Sequence, residues 1–346
     1  MDFLKKIPSS EELQQMLPIS EDIKRQKQKH DVIIKNIFSG HSDKFILAVG
    51  PCSADREDAV VEYASKLGKL QKEVSENIQI VPRVYTSKPR TIGNGYKGLL
   101  HQPVVGRGED MYAGLIAVRK IHKHVIEESG LFPVDELLYP EIIQYVADLL
   151  GYVVIGARSV ENQQHRLVSS GINVPVGMKN PVSGNIDVML NAIETAQYPH
   201  HFLFNGWEVI SQGNEYTHAV LRGYVSDNGE VHSNYQYEDL LHILKKYESR
   251  KLENPAFIID CNHSNSHKDY LKQIDIAMDV LNSMERDKSI MSVVKGLMIE
   301  SYLKDGNQDT YGKEYGKSIT DPCLGWEKTE DLICKINDKL NGIKNK

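Results

Sequence analysis

Eight short apolar runs in this chain end, one after another, in a residue that carries charge or binds metal. ILAVGP stops at Cys52, IQIVP at Arg83, VDE at Glu136 and YVVIGA at Arg158. PVGM stops at Lys179, HAVL at Arg222, FIIDCN at His263 and VKGLMI at Glu300. Most of the runs are followed by a stretch with apolar residues at helical spacing. Eight strand–helix units of this kind predict a (β/α)8 TIM barrel, whose chemistry sits at the C-terminal ends of its parallel strands. Four of the terminal residues are cationic and three are metal-ligand types. That combination predicts an anionic, phosphorylated substrate beside a metal ion.

A barrel uses about 250 residues, and the chain has 346. Residues 1–43 read as an N-terminal helical extension and 44–346 as the barrel, with extra β segments at about 202–235. Ser9 and Ser20 are placed to cap two helices in the extension, each with acidic residues in the first turn. The basic stretch KRQKQKH reads as a solvated helix face. The extension is not needed for barrel chemistry, which leaves oligomer contacts or regulation as its role. After the first strand, Ser53 is expected to cap the helix carrying Val60, Ala64, Leu67 and Leu70. Asn228-Gly229 reads as a hairpin turn in the inserted β structure flanking strand six. The lysine-rich end, NDKLNGIKNK, reads as a frayed helix terminus.

The formal net charge is -6 and the pI about 6.1, which argues against nucleic acid or an acidic membrane surface as a partner. No apolar run approaches the roughly 20 residues of a membrane span. The N-terminus lacks an apolar signal core, and four cysteines in a chain this long form no disulfide framework. A reduced, cytoplasmic protein is expected.

Two constellations carry the chemistry. Cys52, His263, Glu300 and Asp321 offer a thiolate, an imidazole and two carboxylates, a set suited to Mn²⁺, Fe²⁺, Co²⁺ or Zn²⁺. Strands one, seven and eight are neighbours in a closed barrel, so ligands far apart in sequence can converge there. Taken singly, a cysteine is more often a small buried apolar residue; the joint placement at strand ends favours ligation. His267 and the pair His200-His201 read as surface residues, and Cys261 and Cys334 as core. Cys323, two residues past Asp321, raises the alternative of a disulfide to Cys52. The second group is Arg83, Lys88, Arg90, Arg158, Lys179 and Arg222. Arginine grips phosphate and carboxylate as a fork and lysine supplies a compact charge. So many cations gathered at one barrel mouth require a polyanionic ligand.

The stretches GPCSADR, VPRVYTSKPRT, GYKGLLHQP, IGARSVENQQHR, PVGMKNPVSG, DCNHSNSHK, GLMIESYLKDGNQ and YGKSITDPCLGWEKT closely resemble class I 3-deoxy-D-arabino-heptulosonate 7-phosphate (DAHP) synthases over roughly residues 15–340. The resemblance implies condensation of phosphoenolpyruvate with erythrose 4-phosphate, the first step of the shikimate pathway. It implies a divalent metal at Cys52, His263, Glu300 and Asp321. It implies phosphoenolpyruvate contacts from Arg83, Lys88, Arg158, Lys179 and Arg222, with Glu136 a strand-three carboxylate near that site. Lys88, Pro89, Arg90 and Thr91 correspond to erythrose 4-phosphate recognition. Homodimers, or tetramers of two dimers, and an aromatic amino acid effector are implied as well. The loop IGNGYKG is longer and richer in glycine than in well-known bacterial members, and the first 14 residues match poorly.

Cys52, His263 and Lys88 are the expected catalytic residues. Lys88 is the expected proton donor to the aldehyde oxygen, with clustered cations depressing its pKa. One alternative is the sister reaction on arabinose 5-phosphate, giving 3-deoxy-D-manno-octulosonate 8-phosphate; KPRT points to the four-carbon sugar. The other is a non-catalytic aromatic amino acid sensor, against which the complete set of metal and anion residues argues.

Overall fold

The computed structural model describes residues 1–90, 93 and 95–344. Two helices, α1 (Ser10–Met16) and α2 (Glu21–Phe38), precede the first strand. Ser9 and Ser20 cap them as expected; Ser9 and Glu12 form a reciprocal capping box.

Among the described residues twelve strands follow: β1 (Phe45–Gly50), β2 (Ile78–Pro82), β3 (Val134–Glu136), β4 (Tyr152–Ile155), β5 (Val176–Lys179), β6 (His201–Phe204), β7 (Trp207–Ile210), β8 (Thr217–Leu221), β9 (Tyr224–Val225), β10 (Val231–His232), β11 (Phe257–Asp260) and β12 (Val294–Glu300). Eight of them form one parallel sheet in the order β2-β1-β12-β11-β8-β5-β4-β3. A parallel bridge between Arg83 and Val134 joins its two ends. The result is the expected (β/α)8 TIM barrel. The helices α3 (Glu57–Val74), α4 (Met111–Ser129), α7 (Ile186–Gln197), α8 (Tyr237–Ser249), α9 (Lys272–Arg286) and α11 (Trp326–Lys344) are the long members of the outer ring; α5 (Ile143–Val146), α6 (Gln163–Ser169) and α10 (Lys288–Val293) are short.

Side chains alternate along the strands, as a pleated barrel requires. Ile46, Ala48, Val81, Val134, Tyr152, Val154, Val220, Ile258 and Met298 form an inner cluster. Leu47, Val49, Ile80, Val153 and Ile259 belong to the cluster shared with the surrounding helices. Ile34, Ile37 and Phe38 of α2 join the inner cluster, and the Phe38 ring stacks on His218 at 4.0 Å. The pre-barrel helix thus supplies part of the barrel's own core.

The extra β structure around barrel strand six consists of two hairpins, β6–β7 before β8 and β9–β10 after it. Gly229 sits at φ 85° in the second turn, where a β-carbon would be strained.

Three local expectations are corrected. Ser53 does not cap α3: the N-cap position is Arg56, without a side-chain cap, and the Ser53 hydroxyl lies 2.9 Å from Thr320 Oγ1. His30, within KRQKQKH, is buried rather than solvated, because it packs on Phe132 with its ring centroid 5.2 Å away. Cys334 is exposed rather than core. Among the described residues no helix is long and apolar enough to cross a membrane.

Candidate active site

The strand ends converge on a cavity of about 170 Å³. Cys52, Arg83, Lys88, Pro89, Arg90, Glu136, Arg158, Lys179, Arg222, His263 and Asp321 all line it. Thr91 lies outside the described residues. The cavity lining therefore holds both constellations inferred from sequence except Glu300, which is fully buried behind it.

The metal-ligand candidates meet on one side. Cys52 Sγ, a Glu300 carboxylate oxygen and an Asp321 carboxylate oxygen lie within 4.8 Å of one another. Cys52 is 1% exposed and Glu300 fully buried. Cys52 Sγ stands 3.8 Å from Asp321 Oδ2. His263 is adjacent but outside that trio: Nε2 is 3.9 Å from Glu300 Oε1, and Nδ1 is 2.9 Å from Asp260 Oδ2. Its backbone sits at φ 53°, a conformation that costs a non-glycine residue energy and recurs at functional sites. Glu300 is held from both sides, by Arg83 Nη2 at 2.6 Å and by the Asn262 side-chain amide.

Burial, then the neighbouring Glu300 carboxylate, pushes the Cys52 thiol up. Soft and hard anionic donors packed this closely repel one another unless a cation lies between them. The set fits a transition-metal ion. The cysteines are all free thiols, Cys323 among them, so the sulfur of Cys52 is available.

The cations line the rest of the cavity. Lys179, 3% exposed, donates to Glu136 Oε2 at 2.6 Å and lies 3.9 Å from Asp260 Oδ2. Burial pushes the Glu136 carboxyl up, but Lys179, then Lys88 and Arg83, together outweigh it and hold the group at about 2. Asp260 is likewise held low: burial opposes ionisation, and His263 and Lys179 overcome it. Glu136 also explains Gly156 of IGAR, where a β-carbon would stand 2.7 Å from Glu136 Oε1.

Under these cations lies Tyr85. Its ring centroid is 3.8 Å from the Arg83 guanidinium, 5.8 Å from Lys88 Nζ and 5.3 Å from Lys179 Nζ, in the range of cation–π attraction. Arg222 is oriented by Asn180, whose side-chain oxygen accepts its backbone N–H at 3.0 Å. Asn180 also bonds Asn234, and Asn234 bonds Asn265. This asparagine chain ties the loops after β5, β8 and β11 together. Buried Nη1 atoms of Arg83 and Arg222 have no hydrogen-bond partner. Such orphaned donors at a cavity wall point to an anionic ligand.

Lys88 departs from expectation. Its Nζ is 3.0 Å from Cys52 Sγ. Burial lowers its pKa, but Cys52 and then Glu300 outweigh burial and the repulsion of Arg83, so the net shift is upward. The depressed value expected from clustered cations is overturned, because the nearest charges are anions. Sequence reasoning also missed Tyr85, Asp260 and Lys268, which lies 3.7 Å from Asp321 Oδ1. The aspartate of FIID was legible as an acid in an apolar run; Tyr85 and Lys268 gave no distinguishing signal.

The sequence matches the profile of the DAHP synthetase I family over residues 17–333. The chain belongs to the DAHP synthetase I family. Among its relatives, the phospho-2-dehydro-3-deoxyheptonate aldolase of Haemophilus influenzae is 35% identical, with 97% of this chain and 90% of that protein aligned. The Phe-sensitive enzyme of the same name from Escherichia coli is 38% identical over 88% of this chain and 85% of that protein. The structure of the Francisella tularensis phospho-2-dehydro-3-deoxyheptonate aldolase superposes with a TM-score of 0.91 at 32% identity, covering 99% of this chain and 98% of that one. The motif resemblance and the barrel are both borne out.

Proposed function

We propose that the residues gathered at the strand ends carry out DAHP synthesis, in two adjoining halves of one cavity. The activity is that of a 3-deoxy-7-phosphoheptulonate synthase: phosphoenolpyruvate, erythrose 4-phosphate and water give DAHP and phosphate, the first step of the shikimate pathway. The observation that supports the residue assignment is the shared 170 Å³ cavity, where Cys52 and Asp321, backed by buried Glu300, adjoin a set of lysines and arginines.

Arg83, Arg158, Lys179 and Arg222 hold the phosphate and carboxylate of phosphoenolpyruvate. Glu136 acts through Lys179, fixing its ammonium by a 2.6 Å contact. Lys88, Pro89, Arg90 and Thr91 receive erythrose 4-phosphate. Holding both substrates converts a bimolecular encounter into an oriented one. Carbon 3 of phosphoenolpyruvate bonds to the aldehyde carbon, and the aldehyde oxygen takes a proton. Lys88, kept as ammonium by its anionic neighbours, donates that proton. Water adds at carbon 2, and phosphate leaves from the resulting hemiketal with C–O cleavage. Cys52, His263, Glu300 and Asp321 would hold a divalent Mn, Fe, Co or Zn ion, which when bound supplies Lewis-acid stabilisation of the oxygen that gains charge.

Regulation by an aromatic amino acid is proposed from the relative named Phe-sensitive, with residues 1–43 as an oligomer or regulatory element. Assembly as a homodimer or homotetramer and a cytoplasmic location are proposed from the resemblance alone. The test of the reaction is phosphate release from phosphoenolpyruvate with each aldose phosphate offered in turn. Release dependent on erythrose 4-phosphate is expected. Equal or faster release with arabinose 5-phosphate would favour the octulosonate reaction.

A further inference from the structure

The thinnest seam of the barrel carries the residues with the most to do. β2 and β3 meet, among the described residues, through the single bridge between Arg83 and Val134 and the bond from Val84 N–H to Val134 C=O at 3.0 Å. The other neighbouring pairs of the sheet share ladders of three or more residues. Yet Arg83 and Lys88 follow β2, and Glu136 ends β3.

Asp135 stitches this seam. Its Oδ1 accepts from the backbone N–H of Thr86 at 2.9 Å and from that of Glu136 at 2.7 Å. Its Oδ2 accepts from the Thr86 hydroxyl at 2.5 Å. Both residues are 1% exposed. Three donors converge on one side chain, and a carboxylate has acceptors for them all; burial pushes the group up to about 7, against the lowering bonds from Thr86 and Glu136. Because side chains alternate along a strand, Asp135 faces α4, where His122 Nε2 lies 3.5 Å from Oδ2, while Glu136 faces the cavity.

The Thr86–Lys88 segment is gripped from its other side too. Leu100 N–H donates to Thr86 C=O at 3.1 Å, and Lys88 N–H to Lys97 C=O at 3.0 Å. Gly98 permits that approach: at φ 96°, a β-carbon there would stand 2.4 Å from Thr86 O. The path from Asp135 to Lys88 is two residues long and fixed at both ends. The path to Glu136, and through it to Lys179, is one peptide bond.

We propose that Asp135 is a positioning residue that locks the Lys88 segment to the Glu136–Lys179 pair, holding the proton donor and the phosphoenolpyruvate site in one register. The proposal rests on the roles given above to Lys88 and Lys179. It assigns a function to a residue that does not line the cavity, and it separates the two arms of the clamp. The Thr86 arm serves Lys88; the Glu136 arm serves phosphoenolpyruvate.

The test compares steady-state kinetics and thermal midpoints of metal-replete wild type, Thr86→Val, Thr86→Ser, Asp135→Ala and Lys88→Ala. Thr86→Val removes the hydroxyl donor at nearly constant volume. It is expected to lower kcat about tenfold, one hydrogen bond's worth, with KM for phosphoenolpyruvate within about twofold of wild type. Thr86→Ser keeps the hydroxyl and is expected to restore kcat. Asp135→Ala releases both arms and is expected to lower kcat and raise KM for phosphoenolpyruvate together. Where Asp135→Ala does not fold, the Thr86 pair decides alone. Loss of rate in Lys88→Ala with wild-type kinetics in Thr86→Val overturns the proposal by itself. So does equal loss in Thr86→Val and Thr86→Ser, or a change confined to the thermal midpoint. Full activity in Lys88→Ala overturns the assignment of Lys88 and the proposal with it.

Discussion

Lys179→Met is the most informative substitution in the cavity, because it removes a charge and leaves a chain of similar length. Lys179 is 3% exposed and its ammonium lies 2.6 Å from Glu136 Oε2. Glu136 is held at about 2 against an ordinary value of 4.5, and each unit is worth about 1.4 kcal/mol. Ionised Glu136 among its three cations therefore stabilises the fold by about 3 kcal/mol, with Lys179 the leading contributor ahead of Lys88 and Arg83. Breaking buried pairs on one side costs about 3–5 kcal/mol in general.

The sign with pH follows from linkage. A depressed carboxyl contributes stability that is present above 4.5 and is lost as pH falls toward about 2. Without Lys179, burial pushes Glu136 back up, so the variant loses less on acidification. Urea unfolding should show a deficit of about 3 kcal/mol near pH 7 that narrows as pH drops through the carboxylate range. Steady-state kinetics near pH 7 should show KM for phosphoenolpyruvate raised about 10–100-fold, the loss of one charge-assisted contact. A constant deficit across pH would refute the electrostatic account of Glu136. An unchanged KM would remove Lys179 from the substrate site.

Other outcomes follow from the same geometry. Arg222→Ala should raise KM for phosphoenolpyruvate about 10–100-fold with little change in unfolding, since its buried Nη1 has no hydrogen-bond partner to strand; steady-state kinetics with denaturation controls check both. Cys52→Ala should lose bound metal and turnover together, measured as metal content after dialysis against Mn²⁺; full metal content would take the thiolate out of the site. Asn262→Leu leaves one Glu300 oxygen without its amide donor and should weaken metal affinity about tenfold or more, read by metal titration independently of rate.

Much of this was legible in the sequence because strand ends are. A run such as FIIDCN can only be a short buried strand, and a strand of known length fixes where its next polar residue sits. Cys52, Arg83, Glu136, Arg158, Lys179, Arg222, His263 and Glu300 were placed in that way, and the cavity brings them together with Glu300 behind its wall. Distances between side chains were not legible. The sequence put Lys88 among cations, whereas the fold set it 3.0 Å from Cys52 Sγ and reversed its shift. Asp135 and Asp260 sit inside strands, where an acid reads as an interruption and its partners on other elements are invisible. His30 lies in a charged stretch and looked solvated; only the packing of α2 under the barrel, against Phe132, buries it. Ser53 had the right spacing for a cap, but three non-helical residues intervene before α3 begins.

The central claim is that a divalent ion held by Cys52, His263, Glu300 and Asp321 works beside the cationic pocket. Its most direct test is erythrose 4-phosphate-dependent phosphate release, measured on protein stripped with chelator and then reloaded with Mn²⁺. Negligible release after stripping and recovery on reloading are expected. Undiminished release from the stripped protein in excess chelator would contradict the account.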